Sequence, residues 1–458
     1  MLCLAAISAA AVAAAGSADD TYNFLAIGDW GDDNEGQYAT AKGMGYVAET
    51  LKPNFVLALG DNFYGSGIHT PEDGPDGEDR FKKTFEDVYS ADSLQGIPFY
   101  AIAGNHDHKG NVTAQLAYAT HPHTRWTYPA WYYSVDKTIE VGGTTVTLEI
   151  LLFDSVISCG QSERTLGDGT TVDLQGDELE GPLDPPTADA QWAWLEGRIA
   201  NSTADYLWVG AHYPVWSIGN HGPTSDLVTR LRPLLHAHEA NFFNGHDHDL
   251  EHIVEDGSPV NYITTGSGMA CCYTDGNLDK VPNGSVRFAM VGNNGSQWEK
   301  MPFPMLSGFT SYRVGADSMT VHFHAHNGTE LYVTPPIPKR SHQPAPPLPP
   351  APPQPAPSPP PPGPPSPPPA PPPPGTKWMC NDDKHVHLTK LKDDDLEYVG
   401  QDISACQERC NGQTGCEVIF LHKTDTHCHI LVGQTSYTEY TASLEDGTDF
   451  TSCMRVAQ

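Results

Sequence analysis

Short apolar runs and longer amphipathic stretches alternate over the first three quarters of the chain. Residues 23–27, 55–59, 98–103, 146–153, 206–210 and 240–243 are rich in Val, Ile, Leu, Ala and aromatic side chains, and each run ends abruptly in polar residues. Runs of that length predict strands buried on both faces. Between them, residues 37–51, 79–89, 187–199 and 227–238 predict helices. Strand and helix in alternation imply an α/β sandwich, in which ligands gather outside the carboxyl ends of the strands. The polar residues that follow each run are therefore where chemistry is expected.

In chain order those positions hold Asp29, Asp61 with Tyr64, Asn105 with His106, His212, and His246 with His248. All but one of these residue types commonly bind metals through carboxylate, amide or imidazole atoms, and Tyr64 adds a phenol. A Gly stands close before most of them, where it lets the backbone turn sharply so that the side chains converge. A single Gly-Asp or His-x-His carries no information, whereas five such elements at successive strand ends predict a metal site.

Charge narrows the function. The chain has 458 residues with 57 acidic against 25 basic side chains, a formal charge of -32. Nucleic acid or an anionic lipid surface as the main ligand is excluded, since both need clustered Lys and Arg. An anionic substrate must then be held by something other than basic side chains, and bound metal ions are the natural candidate.

The ends of the chain differ from its middle. Residues 1–18 carry an apolar run of small side chains and read as a secretory signal peptide, too short for a membrane span. Five N-x-S/T sequons, at Asn111, Asn201, Asn283, Asn294 and Asn327, would be glycan acceptors on a secreted, extracellular or wall-associated protein. Between residues 344 and 375, 22 of 32 positions are Pro and none is charged. That composition cannot build a core and favours extended polyproline II, so residues 341–375 are read as a linker. Residues 376–458 hold Cys380, Cys406, Cys410, Cys416, Cys428 and Cys453, an even set that predicts a small disulfide-stapled domain. Residues 19–340 remain as the catalytic domain.

The motifs Gly28-Asp29-Trp30-Gly31, Gly60-Asp61-Asn62-Phe63-Tyr64, Gly104-Asn105-His106-Asp107, Ala211-His212-Tyr213-Pro214 and Gly245-His246-Asp247-His248 resemble those of the purple acid phosphatases, most closely the small tartrate-resistant type. The resemblance runs from about residue 22 to 339 and implies a calcineurin-like metallophosphoesterase β-sandwich flanked by helices. By that resemblance Asp29, Asp61, Tyr64 and His248 hold Fe(III), and Asp61, Asn105, His212 and His246 hold a divalent ion, Fe(II), Zn or Mn. The phenolate-carboxylate set suits a hard trivalent cation, the imidazoles and amide a divalent one. The implied reaction is hydrolysis of phosphate monoesters by a metal-bound hydroxide, with His106 and His221 as outer histidines that orient phosphate and help protonate the leaving group. An optimum below neutral pH is expected. A phosphodiesterase with the same cage, or an inert extracellular-matrix or glycan-binding protein, are the alternatives.

Two further segments carry expectations. Residues 160–191 hold eight acidic side chains and one basic, Arg164, and read as a loop near the site. Cys159 matches a family cysteine whose usual partner position is Ser225 here, leaving Cys271 or Cys272 as a substitute partner, or a free buried thiol. The tail cysteines resemble those of PAN/apple modules, small α+β domains that bind proteins or glycans. That likeness implies the pairs Cys380 with Cys453, Cys406 with Cys428, and Cys410 with Cys416. His322, His324 and His326 alternate along one predicted strand and read as a polar sheet face rather than as ligands.

Overall fold

A computed structural model of the chain describes residues 21–68, 80–166, 170–182, 184–292 and 307–342, and five strands beyond residue 375. The leader, the proline-rich stretch, Cys406, Cys410 and Asn294 lie outside the described residues. The chain divides into two compact units, residues 1–357 and 358–458.

The first unit is built on two mixed sheets. One contains β1 (Tyr22–Ile27), β2 (Val56–Leu59), β3 (Phe99–Ile102) and β4 (Trp126–Thr127), all parallel, and the other contains β5 (Tyr133–Val141), β6 (Thr144–Leu152), β9 (Tyr206–Gly210) and β10 (Asn241–Asn244). A small hairpin, β7 (Glu163–Thr165) with β8 (Thr171–Asp173), stands apart. Then follow β11 (Leu250–Ile253), β12 (Tyr262–Thr265), β13 (Val286–Met290), β14 (Gly308–Val314), β15 (Ser318–Ala325), β16 (Glu330–Val333) and β17 (Ile337–Pro338). The first sheet runs β16-β15-β14-β1-β2-β3-β4, with β17 on β15, and the second β13-β11-β12-β10-β9-β6-β5. The six predicted strands are all present, with ends that shift by one or two residues.

Aromatic side chains join the sheets. Phe24 of β1 stacks on Tyr312 of β14 at 4.3 Å, and Tyr312 meets Trp208 of β9 edge-on at 5.6 Å, while Trp208 stacks on Phe243 of β10 at 5.2 Å. All four are fully buried, so burial plus ring contact fixes the spacing of the two layers.

Helices cover the sheets. α1 (Glu35–Leu51) begins where the Asn34 side chain accepts the Gln37 N–H at 2.9 Å, an N-cap, and buries a face of small residues that includes Gly36, Ala41, Gly43 and Ala48. A side chain at Gly36 or Gly43 would collide with the carbonyls of Met269 or His326, so these glycines allow the helix its close approach. α2 (Val112–Tyr118) and α3 (Ser155–Cys159) are capped by Asn111 and Asp154, and α4 (Pro185–Asn201) by Asp184. The predicted helix over 227–238 is a π-helical turn, Leu227–Leu231, that passes into α5 (Arg232–Ala237), and that over 79–89 contains a second π-helical turn, Lys82–Glu86. Apolar periodicity specifies the buried face but not the i to i+5 hydrogen bonding of a π turn.

The second unit shows an antiparallel sheet in the order β18-β22-β20-β21-β19, comprising β18 (Thr376–Val386), β19 (Lys392–Leu396), β20 (Cys416–His422), β21 (Cys428–Val432) and β22 (Leu444–Ala457). Cys380 lies directly opposite Cys453 in register, and Cys453 is buried and disulfide-bonded. Among the described residues no helix is long and apolar enough to cross a membrane.

Candidate metal centre

The sharp polar ends of the strands bring the candidates together. Asp29 and Asp61 each lie two residues beyond their strands, β1 and β2, and His212 and His246 stand in the same relation to β9 and β10. Asp29, Asp61 and His246 adopt left-handed backbone with φ of 56°, 49° and 71°. Non-glycine residues are uncommon there, and the surrounding structure must over-determine them. The loops supply that determination by bonding to one another, within each sheet and, from Gly28 to Thr265, between the two. The N–H groups of Gly28, Asp29 and Gly245 donate to the carbonyls of Thr265, Gly60 and His212. A side chain at Gly60 would collide with His212, one at Gly104 with Asp61 and one at Gly245 with Asp29, so these glycines serve close approach, and only Gly60, at a φ of 90°, also makes the sharp turn expected of them.

The donors then face one another. Tyr64 Oη lies 3.1 Å from Asp29 Oδ1 and 2.9 Å from His248 Nε2, and His248 Nε2 is 3.6 Å from Asp29 Oδ1. His212 Nε2 is 2.9 Å from Asn105 Oδ1, 3.5 Å from Asp61 Oδ1 and 4.0 Å from Asp29 Oδ1. Its other nitrogen, Nδ1, sits 2.9 Å from the Leu59 carbonyl, which fixes the proton there and leaves Nε2 a lone pair. The His212 lone pair and the Asn105 oxygen thus meet as two acceptors with no proton between them. A cation that both bind resolves this. His246 joins through its backbone N–H, which donates to Asp29 Oδ2 at 2.7 Å, and its ring lies 5.0 Å from that of His212.

The electrostatics point the same way. Burial and the Asp61 charge push the Asp29 carboxyl well up, and burial followed by both carboxylates does the same to the Tyr64 phenol. At Asp61 burial is outweighed by His212 and His106, which hold its carboxyl down. Burial pushes His212 and His246 down, and drives His248 down to about 3. Among the described residues no Lys or Arg reaches ion-pair distance of Asp29 or Asp61. Buried carboxylates beside buried imidazoles, with no Lys or Arg among the described residues to pair them, fit a bound metal. Asp29, Asp61 and His212 are the one group of described His, Cys, Asp and Glu residues whose donor atoms all lie within 4.8 Å of one another.

The predicted outer histidines flank this group. The His221 ring stacks on His246 at 4.1 Å, and its Nδ1 is buried with no hydrogen-bond partner. The His106 N–H donates to Asp61 Oδ1 at 2.9 Å, its Nδ1 faces the Gly65 carbonyl at 3.1 Å, and its Nε2 lies 4.0 Å from Asp61 and 3.8 Å from Glu163.

Sequence reasoning missed the carboxylates that hold the loops. Asp107 is fully buried and takes the N–H groups of Gly104, Asn62 and Phe63 together with the amides of Asn62 and Gln115, at 2.8 to 3.2 Å. Asp107→Ala strands four donors, since the Asn62 amide keeps the Ile102 carbonyl and Gln115, and is expected to destabilise the fold by about 3 kcal/mol, measured by urea denaturation of wild type and variant. Asp247 similarly receives the N–H groups of His221 and Gly222 at 2.8 and 3.2 Å and sets the His221 loop. Both acids stand inside quoted motifs, but nothing in the sequence distinguishes a loop anchor from a ligand.

Other candidates do not join the centre. His322 bonds Glu330 and Thr320, and His324 bonds Ser311. Cys159 is buried and unpaired, and Cys271 and Cys272 are bonded to each other, so neither substitutes as its partner. The acidic stretch expected to be a loop contains the β7–β8 hairpin.

Residues 22–250 match the calcineurin-like phosphoesterase family. The tartrate-resistant acid phosphatase type 5 of Rattus norvegicus is 35% identical over 327 residues, which is 70% of this chain and 91% of the relative. The chain belongs to the purple acid phosphatase family. Purple acid phosphatase 3 of Arabidopsis thaliana is 31% identical over 281 residues, covering 60% of this chain and 70% of that relative. The fold is shared with the structure titled GAP50, the anchor in the inner membrane complex of Plasmodium, at a TM-score of 0.56 and 22% identity over 70% of this chain and 90% of that one. Members of the purple acid phosphatase family use dinuclear metal centres, and this member is an enzyme, an acid phosphatase.

Proposed function

We propose that the chain is a secreted, dinuclear-metal phosphatase that hydrolyses phosphate monoesters. Asp29, Asp61, Tyr64 and His248 would hold Fe(III), and Asp61, Asn105, His212 and His246 a divalent ion, Fe(II), Zn or Mn. The observation that carries this reading is the convergence of Tyr64, His248, Asn105 and His212 on two buried carboxylates that have no Lys or Arg partner among the described residues. When bound, the metals supply Lewis acidity toward a phosphoryl oxygen and an acidified water.

The chain's own residues do the rest. His212 is held in one tautomer by the Leu59 carbonyl, and Asp61 is oriented by the His106 N–H. His221 presents a buried nitrogen with no partner, free to take a phosphate oxygen or to pass a proton to the departing alkoxide. Asp247 fixes its backbone so that the ring needs no reorganisation when substrate arrives.

Secretion is supported by sequons on exposed positions, since Asn201, Asn283 and Asn327 are all exposed. The tail is proposed as a PAN/apple-like module with a protein or glycan ligand, and the opposed Cys380 and Cys453 support one of its three pairings.

Metal analysis with a visible spectrum tests the centre. The purified protein is expected to contain iron and to absorb in the middle of the visible, and Tyr64→Phe is expected to abolish that band while the fold persists. A colourless, iron-free protein that still turns over p-nitrophenyl phosphate would overturn the assignment of Tyr64 and Fe(III).

A further inference from the structure

We propose that the cavity beside His221 is a leaving-group pocket selective for phosphomonoesters whose alcohol carries a cationic amine, and that Asp173 enforces this by rejecting alcohols that carry a second negative charge. The inference rests on the phosphatase reading above and adds the class of substrate.

The cavity measures about 470 Å³ and is lined by Asp173, Gln175, Asn220, His221, Tyr273 and Asn277. That volume suits a small ligand. Its position is set by His221, the histidine whose buried Nδ1 lacks a partner, so whatever fills the cavity adjoins the phosphate. Tyr273 forms the aromatic wall, stacked on His248 at 4.4 Å and edge-on to His221 at 5.7 Å. The polar wall is made of amides already tied together. The Asn277 amide donates to the Gly219 carbonyl and to Gln175 Oε1, and Asn220 Oδ1 accepts from Thr274.

Charge is what distinguishes this pocket. The β7–β8 hairpin sets Glu163 directly opposite Asp173, so two carboxylates occupy facing positions on one small element. Glu163 is matched by Lys109 at 2.5 Å. The neighbouring cations are likewise committed, Arg164 to Glu180 at 2.7 Å and Lys280 to Asp177 at 3.4 Å. Asp173 is exposed and makes no ion pair among the described residues. The pocket therefore presents an unmatched carboxylate among amide groups, and beyond His221 none of its described lining residues is basic, so no Lys or Arg there receives a carboxylate or second phosphate. An ammonium group supplies what is missing, and a carboxylate in its place meets like charge.

The test compares O-phosphoethanolamine with 2-phosphoglycolate, similar in size and opposite in leaving-group charge, on the metal-loaded full chain at pH 6. The kcat/KM ratio is expected to favour phosphoethanolamine by about tenfold or more, and Asp173→Asn to reduce the ratio about fivefold, the scale of one exposed ion pair. A wild-type ratio near one, or a ratio that Asp173→Asn leaves in place, overturns the proposal. Saturation-transfer NMR with ethanolamine and glycolate, the two leaving alcohols, reads the same pocket without turnover. Ethanolamine is expected to bind the more strongly and to lose that advantage in Asp173→Asn, and equal binding of both alcohols overturns the proposal. Loss of all phosphatase activity in wild type, with the NMR preference intact, would sink the catalytic reading and leave the pocket assignment standing.

Discussion

Asp61→Asn is expected to lower kcat/KM for p-nitrophenyl phosphate by about a thousandfold or more, because one side chain serves both halves of the proposed centre. Asp61 lies 3.5 Å from His212 Nε2, accepts the His106 N–H at 2.9 Å, and sits buried at a φ of 49°. Asn is the informative substitution. It tolerates left-handed backbone and keeps the shape and the accepting oxygen, so the charge alone is removed. Asp61→Ala would also lose activity, but it places a residue ill-suited to that conformation in a buried loop and so confounds catalysis with folding. The expected signature is a loss of activity and of bound metal with near-native circular dichroism. Retention of more than about a tenth of wild-type activity by a folded Asp61→Asn variant would exclude a bridging role for this residue.

The candidate cluster was legible in the sequence because each of its side chains follows a strand by only two to five residues. A continuous apolar run such as Tyr206–Gly210 announces a strand buried on both faces, and His212 then has nowhere to lie except at its carboxyl end. The same logic fails for β11 and β12. Their sequences, Leu250-Glu251-His252-Ile253 and Tyr262-Ile263-Thr264-Thr265, mix polar with apolar side chains, yet all eight residues are buried. Glu251 is accommodated by Ser217 and the Ile218 N–H, and His252 by Asn261 and Tyr332, partners 9 to 80 residues away and more than 30 in all but one case, which no local pattern can reveal. The anchors Asp107 and Asp247 escaped for a related reason, since most of their partners are backbone N–H groups that every sequence possesses. The β7–β8 hairpin was hidden by its composition. Its strands, Glu163–Thr165 and Thr171–Asp173, are only three residues each, and the Gly and Asp of the sequence around them mask the strand-forming Thr and Val.

Acid should weaken the fold of this acid phosphatase, and two buried histidines account for the second large effect. His252 has Nε2 2.9 Å from Asn261 Oδ1 and Nδ1 3.1 Å from the Tyr332 hydroxyl, packs near Phe288 and Phe323, and is repelled by Arg287. His324 has Nε2 2.8 Å from Ser311, stacks on Phe309, and faces His322, Glu330 and Arg313. Burial, above all, pushes both down to about 4 from the ordinary 6.5. Both folded-state values are depressed, so below pH 6.5 the unfolded chain takes up the protons first. Stability is then fully present above pH 6.5 and is lost as pH falls toward 4, by about 3 kcal/mol for each histidine across the window. Against a typical net stability of about 5 to 15 kcal/mol, the pair is a large share. Urea denaturation of the full, metal-loaded chain at pH 6.5, 5.5 and 4.5 measures it. The double variant His252→Gln, His324→Gln is expected to show a pH slope shallower than wild type by up to about 2.7 kcal/mol per pH unit, one proton's worth for each histidine. The slope is the readout because the substitutions can shift absolute stability at every pH. Identical slopes in the two proteins would show that these histidines do not titrate with unfolding, and would place the acid limit of the enzyme in its carboxylates instead.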